Sequence, residues 1–331
     1  MSLSLCARLT SKYTASLQPN NLSYLPGSAG FAFSHRNQAI IISAGGINEK
    51  VLRSPASLTD GIAVEPMTVP YEETDMIAQV KWERLSFGIV LVLVTNAGLV
   101  QIYNHAGQRL LHFFRIECDP NQVPDAARGI ASNGIDLIFV GSYTGEVITL
   151  QVSAEHITRG KALSGSTAHR APITDIAAER SADTQTLVTA DATGQILVWD
   201  LSSLVLIANL GTFHSRCNSI AVYGTTVVAA FLSGHVRIFN CREETHLEIT
   251  AHSRAINAMC ISPVTKRWFC VSEDTFLSMY TLPDSSNMLS SLHSIVVSPG
   301  LLTGLAVDGP CGTVAVTCYD SGEIFLVKVN E

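Results

Sequence analysis

Short apolar segments of strand length recur along the chain, separated by small polar or glycine-containing turns. Residues 89–103 (IVLVLVTNAGLVQIY) are a clear example, in which two apolar segments flank a turn at Gly98. The segments either alternate between apolar and polar positions or are continuously apolar and β-branched, as strands are. A helix would instead place apolar residues every three to four positions. The pattern therefore predicts an all-β protein.

A module of three such strands occurs six times. The copies cover residues 79–103, 128–150, 173–199, 218–239, 255–280 and 302–326. Their third strands end about 40 to 49 residues apart, which brackets the roughly 40 to 45 residues of a four-stranded propeller blade. The repeat therefore predicts a β-propeller rather than a helical solenoid.

A glycine recurs in the turn between the second and third strands of five copies. These glycines are Gly98, Gly145, Gly194, Gly234 and Gly322. A tight hairpin turn needs a positive φ, which glycine adopts without steric cost. We expect all five to have positive φ and to set the strand register.

The residues before the first copy are expected to supply a seventh blade. Residues 21–25, 30–34 and 39–44 have the pattern of three short strands, and residues 53–75 are expected to form a long exposed loop beside a fourth. The last copy ends so close to residue 331 that its outer strand is missing, and an open sheet edge invites aggregation. We therefore expect residues 1–10 to pair with the last blade and to close residues 1–331 into a single domain.

Composition and charge argue against several classes of protein. The formal net charge is −7, whereas a general nucleic-acid binder usually needs a basic field. No apolar run approaches the roughly 20 residues of a membrane helix, so no membrane insertion is expected. Eight cysteines without a C-x-x-C pair fit reduced thiols and predict a cytoplasmic protein. Residues 1–17 loosely resemble a mitochondrial presequence, but a closing strand is the preferred interpretation.

The balance of apolar and charged residues bears on the surface. Apolar residues make up 47% of the chain and charged residues 15%. Either many strands are buried on both faces or partners cover much of the surface. We expect a subunit of a larger hetero-complex, with cytoskeletal or ciliary association as one setting.

Two copies carry residues that identify a family. In the sixth blade, His252, Ser272, Asp274 and Tyr280 stand where WD40 repeats place a His, a Ser or Thr, a turn Asp and a Trp. In the fourth blade, His169, Thr189, Asp191 and Trp199 form the same set, with the Trp-Asp dipeptide intact but a longer turn. Such a set satisfies buried polar groups between strands. Its recurrence in two blades favours this structural network over a hydrolytic triad.

Over nearly its whole length the chain resembles the WD40-repeat family and, within it, the small WD repeat-containing protein 54 family. The stretches that carry the closer resemblance include QVKW, ARGIA, PITDIA, AHSRAI, SEDTF and AVTCYDSGEI. The resemblance implies a seven-bladed WD40 β-propeller that acts in the cytoplasm as a protein-protein interaction scaffold without enzymatic activity.

WD40 propellers generally recognise partners on the face formed by the loops that lead into the first strand of each blade. An arginine recurs in these loops, as Arg128, Arg170, Arg216 and Arg254. Guanidinium groups suit carboxylates and phosphates, so we expect a ring that binds an acidic or phosphorylated segment of a protein partner. The alternative is that these arginines pair with local carboxylates such as Asp175 or cap loop carbonyls.

Two other functions remain open. A ubiquitin-ligase substrate receptor often shows W-D-x-R after the third strand, but the sequence here is Trp199-Asp200-Leu201-Ser202. A propeller enzyme with a site at the channel mouth would need several carboxylates or histidines that converge on the axis. The chain has no H-E-x-x-H, P-loop, G-x-S-x-G or ligand-spaced cluster, so we expect no catalytic residue, metal site or cofactor.

Overall fold

The computed structural model describes residues 2–28, 30–43, 49–53, 76–116, 128–164, 168–180, 184–241, 245–282, 291–308 and 312–330. Within these ranges the chain forms 28 β-strands and no helix. The strands form seven antiparallel sheets of four, which are numbered here as blades 1 to 7 in chain order. The prediction of an all-β seven-bladed propeller is confirmed.

The strands of the first blades follow β1 (Ser2–Thr10). Blade 1 contains β2 (Ser23–Leu25), β3 (Gly30–His35), β4 (Gln38–Ser43) and β5 (Glu49–Arg53). Blade 2 contains β6 (Ile77–Leu85), β7 (Gly88–Thr95), β8 (Leu99–Asn104) and β9 (Leu110–Arg115). Blade 3 contains β10 (Ile130–Ser132), β11 (Leu137–Gly141), β12 (Val147–Val152) and β13 (Ile157–Arg159).

The later blades follow the same plan. Blade 4 contains β14 (Ile173–Arg180), β15 (Gln185–Asp191), β16 (Gln195–Asp200) and β17 (Leu206–Thr212). Blade 5 contains β18 (Cys217–Tyr223), β19 (Thr226–Phe231), β20 (His235–Asn240) and β21 (Thr245–Thr250). Blade 6 contains β22 (Ile256–Ser262), β23 (Arg267–Ser272), β24 (Phe276–Thr281) and β25 (Ser291–Val296), and blade 7 adds β26 (Leu302–Asp308), β27 (Thr313–Cys318) and β28 (Glu323–Asn330).

The ring is closed by the two ends of the described chain. β1 forms the outer strand of blade 7 and pairs antiparallel with β28, from Ser2 opposite Asn330 to Thr10 opposite Glu323. One irregularity falls between Leu5 and Ala7. The sheet edge that the sequence left open is thus covered by β1, and the predicted closing strand is confirmed. The predicted loop at residues 53–75 lies outside the described residues, apart from Arg53 at the end of β5.

The apolar core lies between neighbouring blades. Between blades 5 and 6, for example, Ile238 and Val228 pack against Trp268 and Tyr280. The Trp268 and Tyr280 rings stack with their centroids 4.2 Å apart. A large aromatic pair in such a gap contributes both buried area and ring stacking. Each blade therefore depends on its neighbours for its hydrophobic contacts.

Polar side chains also form hydrogen bonds across the blade junctions, five of them between innermost strands and one from Thr317 of β27 in blade 7 to Asn21, just before β2. Six junctions have a side-chain-to-backbone hydrogen bond: Ser23 with Trp82, Lys81 with Ile130, Asp175 with Ile220, Asn218 with Ile256, Asn257 with Leu302, and Thr317 with Asn21. At the seventh, between blades 3 and 4, Gly129 and Gly141 let the backbones approach, because a Cβ at either position would collide with Ile176 or Ile173. Neighbouring blades are therefore joined near the channel by hydrogen bonds as well as by apolar contacts.

The turn glycines follow the prediction at four of the five positions. Gly98, Gly145, Gly194 and Gly234 have φ of 74°, 89°, 82° and 82°. The prediction for Gly322 is wrong, because in that turn Asp320 takes the positive φ, at 54°. Gly145, Gly194 and Gly234 have a second constraint, since a Cβ there would strike the carbonyl oxygen of His169, Ser215 or His252 in the loop that leads into the next blade.

Candidate functional site

The propeller has two faces with different chemistry. The upper face is defined here as the connections that lead into each innermost strand together with the turns between second and third strands. The lower face contains the other connections. The four predicted arginines and both predicted polar networks belong to the upper side.

The polar network of blade 4 is continuous. The Trp199 indole N–H donates to Thr189 Oγ1 over 3.0 Å, and Thr189 Oγ1 lies 2.7 Å from His169 Nε2. His169 Nδ1 lies 2.9 Å from Asp191 Oδ2, despite the longer turn. Burial acts to raise the pKa of Asp191, but hydrogen bonds from His169 and Thr193 lower it below its usual value. The His169 and Asp191 side chains are 0% and 2% exposed, so this constellation is closed to a substrate.

The network of blade 6 differs from the expected one. His252 Nδ1 lies 3.0 Å from Asp274 Oδ1, but its Nε2 faces Cys270 Sγ at 3.2 Å rather than Ser272. Ser272 is two residues further along β23, at the end of the strand, where its hydroxyl donates to the Arg254 carbonyl. The expected role of Ser272 is therefore corrected: Cys270 occupies the place of the network hydroxyl.

Tyr280 does not take over the hydrogen bond of the usual tryptophan. Its ring stacks on Trp268, and its hydroxyl interacts with Ser278. Burial raises the pKa of Tyr280 to about 12. For His252, burial lowers the pKa although Asp274 acts to raise it. The blade 6 set is thus a His-Asp pair beside an aromatic stack.

A short segment between β1 and β2 crosses the upper end of the channel. This crossing segment, residues 18–20, begins beside blade 1 and contacts three blades further round the ring. Gln18 accepts a hydrogen bond from Arg128 of blade 3. Asn20 donates from its side chain to the Asn218 carbonyl of blade 5 and from its backbone to the Asn257 carbonyl of blade 6. The crossing segment therefore covers the channel at the upper face.

The four arginines do not form one ring. Arg128 is 8% exposed and donates from Nη2 to Gln18 Oε1 at 2.8 Å, so it is buried beneath the crossing segment. Arg170, Arg254 and Arg216 lie three, two and one residues before the first residue of β14, β22 and β18, and so are not at equivalent positions. The predicted ring is corrected to three arginines on consecutive blades 4, 5 and 6. Asp175, the expected local carboxylate, instead accepts a hydrogen bond from the Ile220 backbone N–H.

The three remaining arginines differ in their surroundings. Arg170 is exposed and Arg216 is half-buried. The Arg254 side chain is 58% exposed, and its Nη2 lies 3.5 Å from Glu273 Oε2. Leu232, which is 50% exposed, donates its backbone N–H to the Arg216 carbonyl and so lies beside that arginine. We call Arg170, Arg216 and Arg254 the arginine arc.

The central channel forms a cavity of about 410 Å³ along the innermost strands. Its lining includes Asn20 of the crossing segment, Lys81 of blade 2 and Asp175 of blade 4. Near the upper end the inner-strand residues Asn218, Asn257 and Thr303 are 0% to 5% exposed. Towards the lower face, Val222, Ile261 and Val307 are half-buried. The side chains along the cavity are thus more deeply buried near the crossing segment than towards the lower face.

Titratable groups meet inside this channel. Lys81 Nζ donates to the Ile130 carbonyl over 2.6 Å and lies 3.0 Å from Glu83 Oε1. Burial acts to lower the pKa of Lys81, but the Glu83 and Asp175 carboxylates hold it above its usual value. Burial raises the pKa of Asp175 to about 6, with Lys81 acting in the opposite direction. Burial also raises the pKa of the lining thiol Cys260, which keeps it protonated.

Sequence reasoning missed the crossing segment and the channel charges. The segment has no apolar periodicity that would place it, and its polar residues resemble any surface loop. The signal for the channel was present but unused: Lys81 and Asp175 interrupt the apolar first strands QVKW and ITDIA. Charged residues at otherwise apolar inner-strand positions indicate an unusual environment.

Thiol pairs, clusters of metal-ligating side chains and long apolar helices would each indicate another type of site or setting. The six cysteines described there are free thiols. In the same part of the chain, no group of three or more His, Cys, Asp or Glu side chains is placed to hold a metal ion. Among the residues that the structure describes, none forms a helix long and apolar enough to cross a membrane.

Comparison with known proteins agrees with the architecture. The sequence profile of the WDR54 family matches residues 15–328. WD repeat domain 54 of Rattus norvegicus is 29% identical over 94% of this chain and 95% of its own length, and WD repeat-containing protein 54 of Mus musculus gives the same values. A chain in the crystal structure of a mitotic checkpoint complex has a TM-score of 0.77 at 14% identity, over 99% of this chain and 92% of its own, which shows the fold alone. The chain belongs to the WDR54 family of WD-repeat β-propellers.

Proposed function

We propose that this protein is a non-catalytic interaction platform that binds an acidic segment of a protein partner on its upper face. The observation that carries the proposal is the arginine arc, with the apolar Leu232 beside its middle member. Arginine forks suit carboxylate and phosphate oxygens, and arginine beside exposed apolar side chains is typical of interface cores. Three of the 21 basic residues of the chain lie in this arc.

The partner is proposed to belong to a larger cytoplasmic assembly, of which this protein is a subunit. A surface built from a chain with 15% charged residues supports extensive coverage by partners. A cytoskeletal or ciliary assembly is one setting for such a subunit. Both acidic and phosphorylated segments fit the arc, because the guanidinium group pairs with either oxyanion.

A catalytic channel is the second candidate, since Lys81 and Asp175 line the same cavity. Their contacts weigh against it. The Lys81 ammonium is held by Glu83 and a backbone carbonyl, which favours the charged form over a free base. The Cys260 thiol has a raised pKa, whereas a nucleophilic cysteine needs a lowered one. Because an activated nucleophile is missing from the described lining, the platform is preferred.

The experiment compares reversal of arginine charges on the upper face with a control in which the same number of arginine charges is reversed on the lower face. Arg170→Glu with Arg254→Glu changes two exposed residues of the arc, and Arg84→Glu with Arg109→Glu changes two exposed arginines at the lower side. Partners captured by proximity labelling and mapped by cross-linking mass spectrometry are expected to be lost in the first variant and kept in the second. Partners that persist in the first variant, or that are lost equally in both, would contradict the proposal.

A further inference from the structure

Leu232 lies in a turn that contacts the loops of two arginines of the arc. The turn joins β19 to β20, and the Leu232 backbone N–H donates to the Arg216 carbonyl over 2.9 Å. Two residues later, the Gly234 carbonyl accepts a hydrogen bond from the His252 backbone N–H. A Cβ at Gly234 would also come within 2.9 Å of the Arg254 carbonyl oxygen. The turn is therefore fixed on one side to the loop of Arg216 and on the other side to the loop of Arg254.

The position of Leu232 recurs around the ring with different side chains. In five blades the first residue after the second strand donates its backbone N–H to the residue just before the innermost strand of the same blade. These donors are Asn96, Ala192, Leu232, Glu273 and Tyr319. Leu232 is the large aliphatic residue of this set and is 50% exposed. One exposed leucine is common on a protein surface, so its place between two arginines is the informative observation.

The charge of the upper face differs on the two sides of Leu232. Arg170 of blade 4 extends the basic surface in one direction. In the other direction, the Glu273 carboxylate lies 3.5 Å from the Arg254 guanidinium, and Asp320 is exposed in the turn of blade 7. Acidic residues of a partner that extend beyond Arg254 would therefore meet carboxylates of the same sign. An acidic segment is best placed along blades 4 to 6, where it has to pass Leu232.

We propose that Leu232 is a specificity-determining contact of the arginine arc, which selects acidic segments that have an apolar side chain between their carboxylates. The selectivity rests on the proposed function, because the arginines must first bind an acidic segment. Carboxylates on either side pair with guanidinium groups, while the apolar side chain between them covers Leu232 and removes its surface from water. A segment of acidic residues alone would instead place charged atoms against Leu232.

The test compares three peptides with blocked termini by fluorescence polarisation at low ionic strength, where charge screening is weak. GEELEEG places a leucine between acidic residues, and GEESEEG has a serine there. GEEEELG has the same composition as the first peptide but places the leucine at the end. Wild type is expected to bind GEELEEG about fivefold more tightly than GEESEEG, as partial burial of one leucine side chain predicts. GEEEELG should bind more weakly than GEELEEG.

Variants of the protein separate the contact from the charge. Leu232→Ser is expected to bind GEESEEG as wild type does but to lose the preference for GEELEEG, whereas Leu232→Met should keep the preference. Val264→Ser is the matched control, because Val264 is 70% exposed in a lower-face turn of blade 6 and its loss should leave the preference unchanged. Arg170→Glu with Arg254→Glu should weaken the binding of all three peptides.

The outcomes distinguish the role of Leu232 from the proposed function. Equal affinity of wild type for the three peptides would overturn the selective role of Leu232 and leave an acidic partner in place. A preference that survives in Leu232→Ser, or that disappears in Val264→Ser, would also overturn that role. If none of the three peptides binds to wild type, the proposed function fails and the role of Leu232 fails with it.

Discussion

Arg128 of blade 3 donates a hydrogen bond to Gln18 at 2.8 Å, although 110 residues separate them in sequence. Gln18→Ala removes this hydrogen bond from a buried guanidinium. The expected loss in the free energy of unfolding is about 1 to 3 kcal/mol. Urea denaturation measures it, with Leu17→Ala as the control because that side chain is 49% exposed. A loss no larger than that of Leu17→Ala would contradict a fastening role for the crossing segment.

Deletion of residues 2–10 is expected to lower the melting temperature by about 5 °C or more. The deletion uncovers the β28 edge and removes Leu3, which is 5% exposed, from the core between blades 6 and 7. Differential scanning calorimetry measures the change. Arg8→Ala is the control, since the Arg8–Glu323 pair is exposed and worth at most about 1 kcal/mol. An unchanged melting temperature after the deletion would refute strand sharing.

Comparison of Gly234→Ala with Gly224→Ala separates the energetic cost of an unfavourable backbone conformation from the cost of a steric clash. Both glycines have positive φ, at 82° and 59°, and each substitution should cost about 1 kcal/mol for that reason. Only at Gly234 would the new Cβ also strike the His252 carbonyl, whereas Gly224 faces open space. We therefore expect Gly234→Ala to cost about 3 kcal/mol or more in chemical denaturation. Equal losses of stability for the two substitutions would contradict this prediction. They would show that the loop around His252, which leads into blade 6, shifts to make room for the new Cβ.

Trp199→Phe tests the hydrogen bond within blade 4. The indole N–H to Thr189 Oγ1 bond is buried, and its loss should cost about 1 kcal/mol beyond the change in packing. A double-mutant cycle with Thr189→Val isolates that coupling. The two substitutions together should then cost less than the sum of the single ones. Strict additivity would mean that Trp199 contributes through packing alone.

Asp175→Asn is expected to change how stability depends on pH. The pKa of Asp175 is about 6 in the folded protein and 3.8 is its ordinary value, so the folded state binds more protons between these limits. Wild-type stability should therefore fall, relative to Asp175→Asn, as pH rises from about 4 to about 6, by up to about 3 kcal/mol. Urea denaturation across this range measures the difference. Parallel stability curves for the two proteins would contradict the raised pKa.

The repeat explains why so much of the fold was predictable. Four-stranded blades require alternating segments and turn glycines with positive φ, and the sequence shows these glycines at Gly98, Gly145, Gly194 and Gly234. The blade period and the strand register can therefore be predicted from short stretches of sequence. Gly322 was misassigned because Asp320, two residues earlier in the same turn, adopts the positive φ instead. The role of β1 as the outer strand of blade 7 was inferred because too few residues follow the last copy to form that strand, not because β1 has a distinctive pattern.

The candidate sites were harder to predict because they depend on contacts between distant residues. Arg128 matched the other arginines by its place in the sequence, yet the crossing segment buries it. Cys270 was missed as the partner of His252 because a thiol is not among the residue types that usually fill that place. The meeting of Lys81 and Asp175 in one cavity depends on how blades 2 and 4 are placed around the ring, which their local sequences do not show.

The pairing of β1 with β28 has a consequence for synthesis. During translation β1 is made before every other strand of the propeller, whereas β28 follows about 310 residues later. A nascent chain must therefore keep β1 unpaired on the ribosome while the intervening sheets form. The strand contains hydroxyl-bearing and basic residues, which favour solvation of the unpaired segment. These residues are Ser2, Ser4, Arg8 and Thr10. Blade 7 is then completed only after β28 has been synthesised.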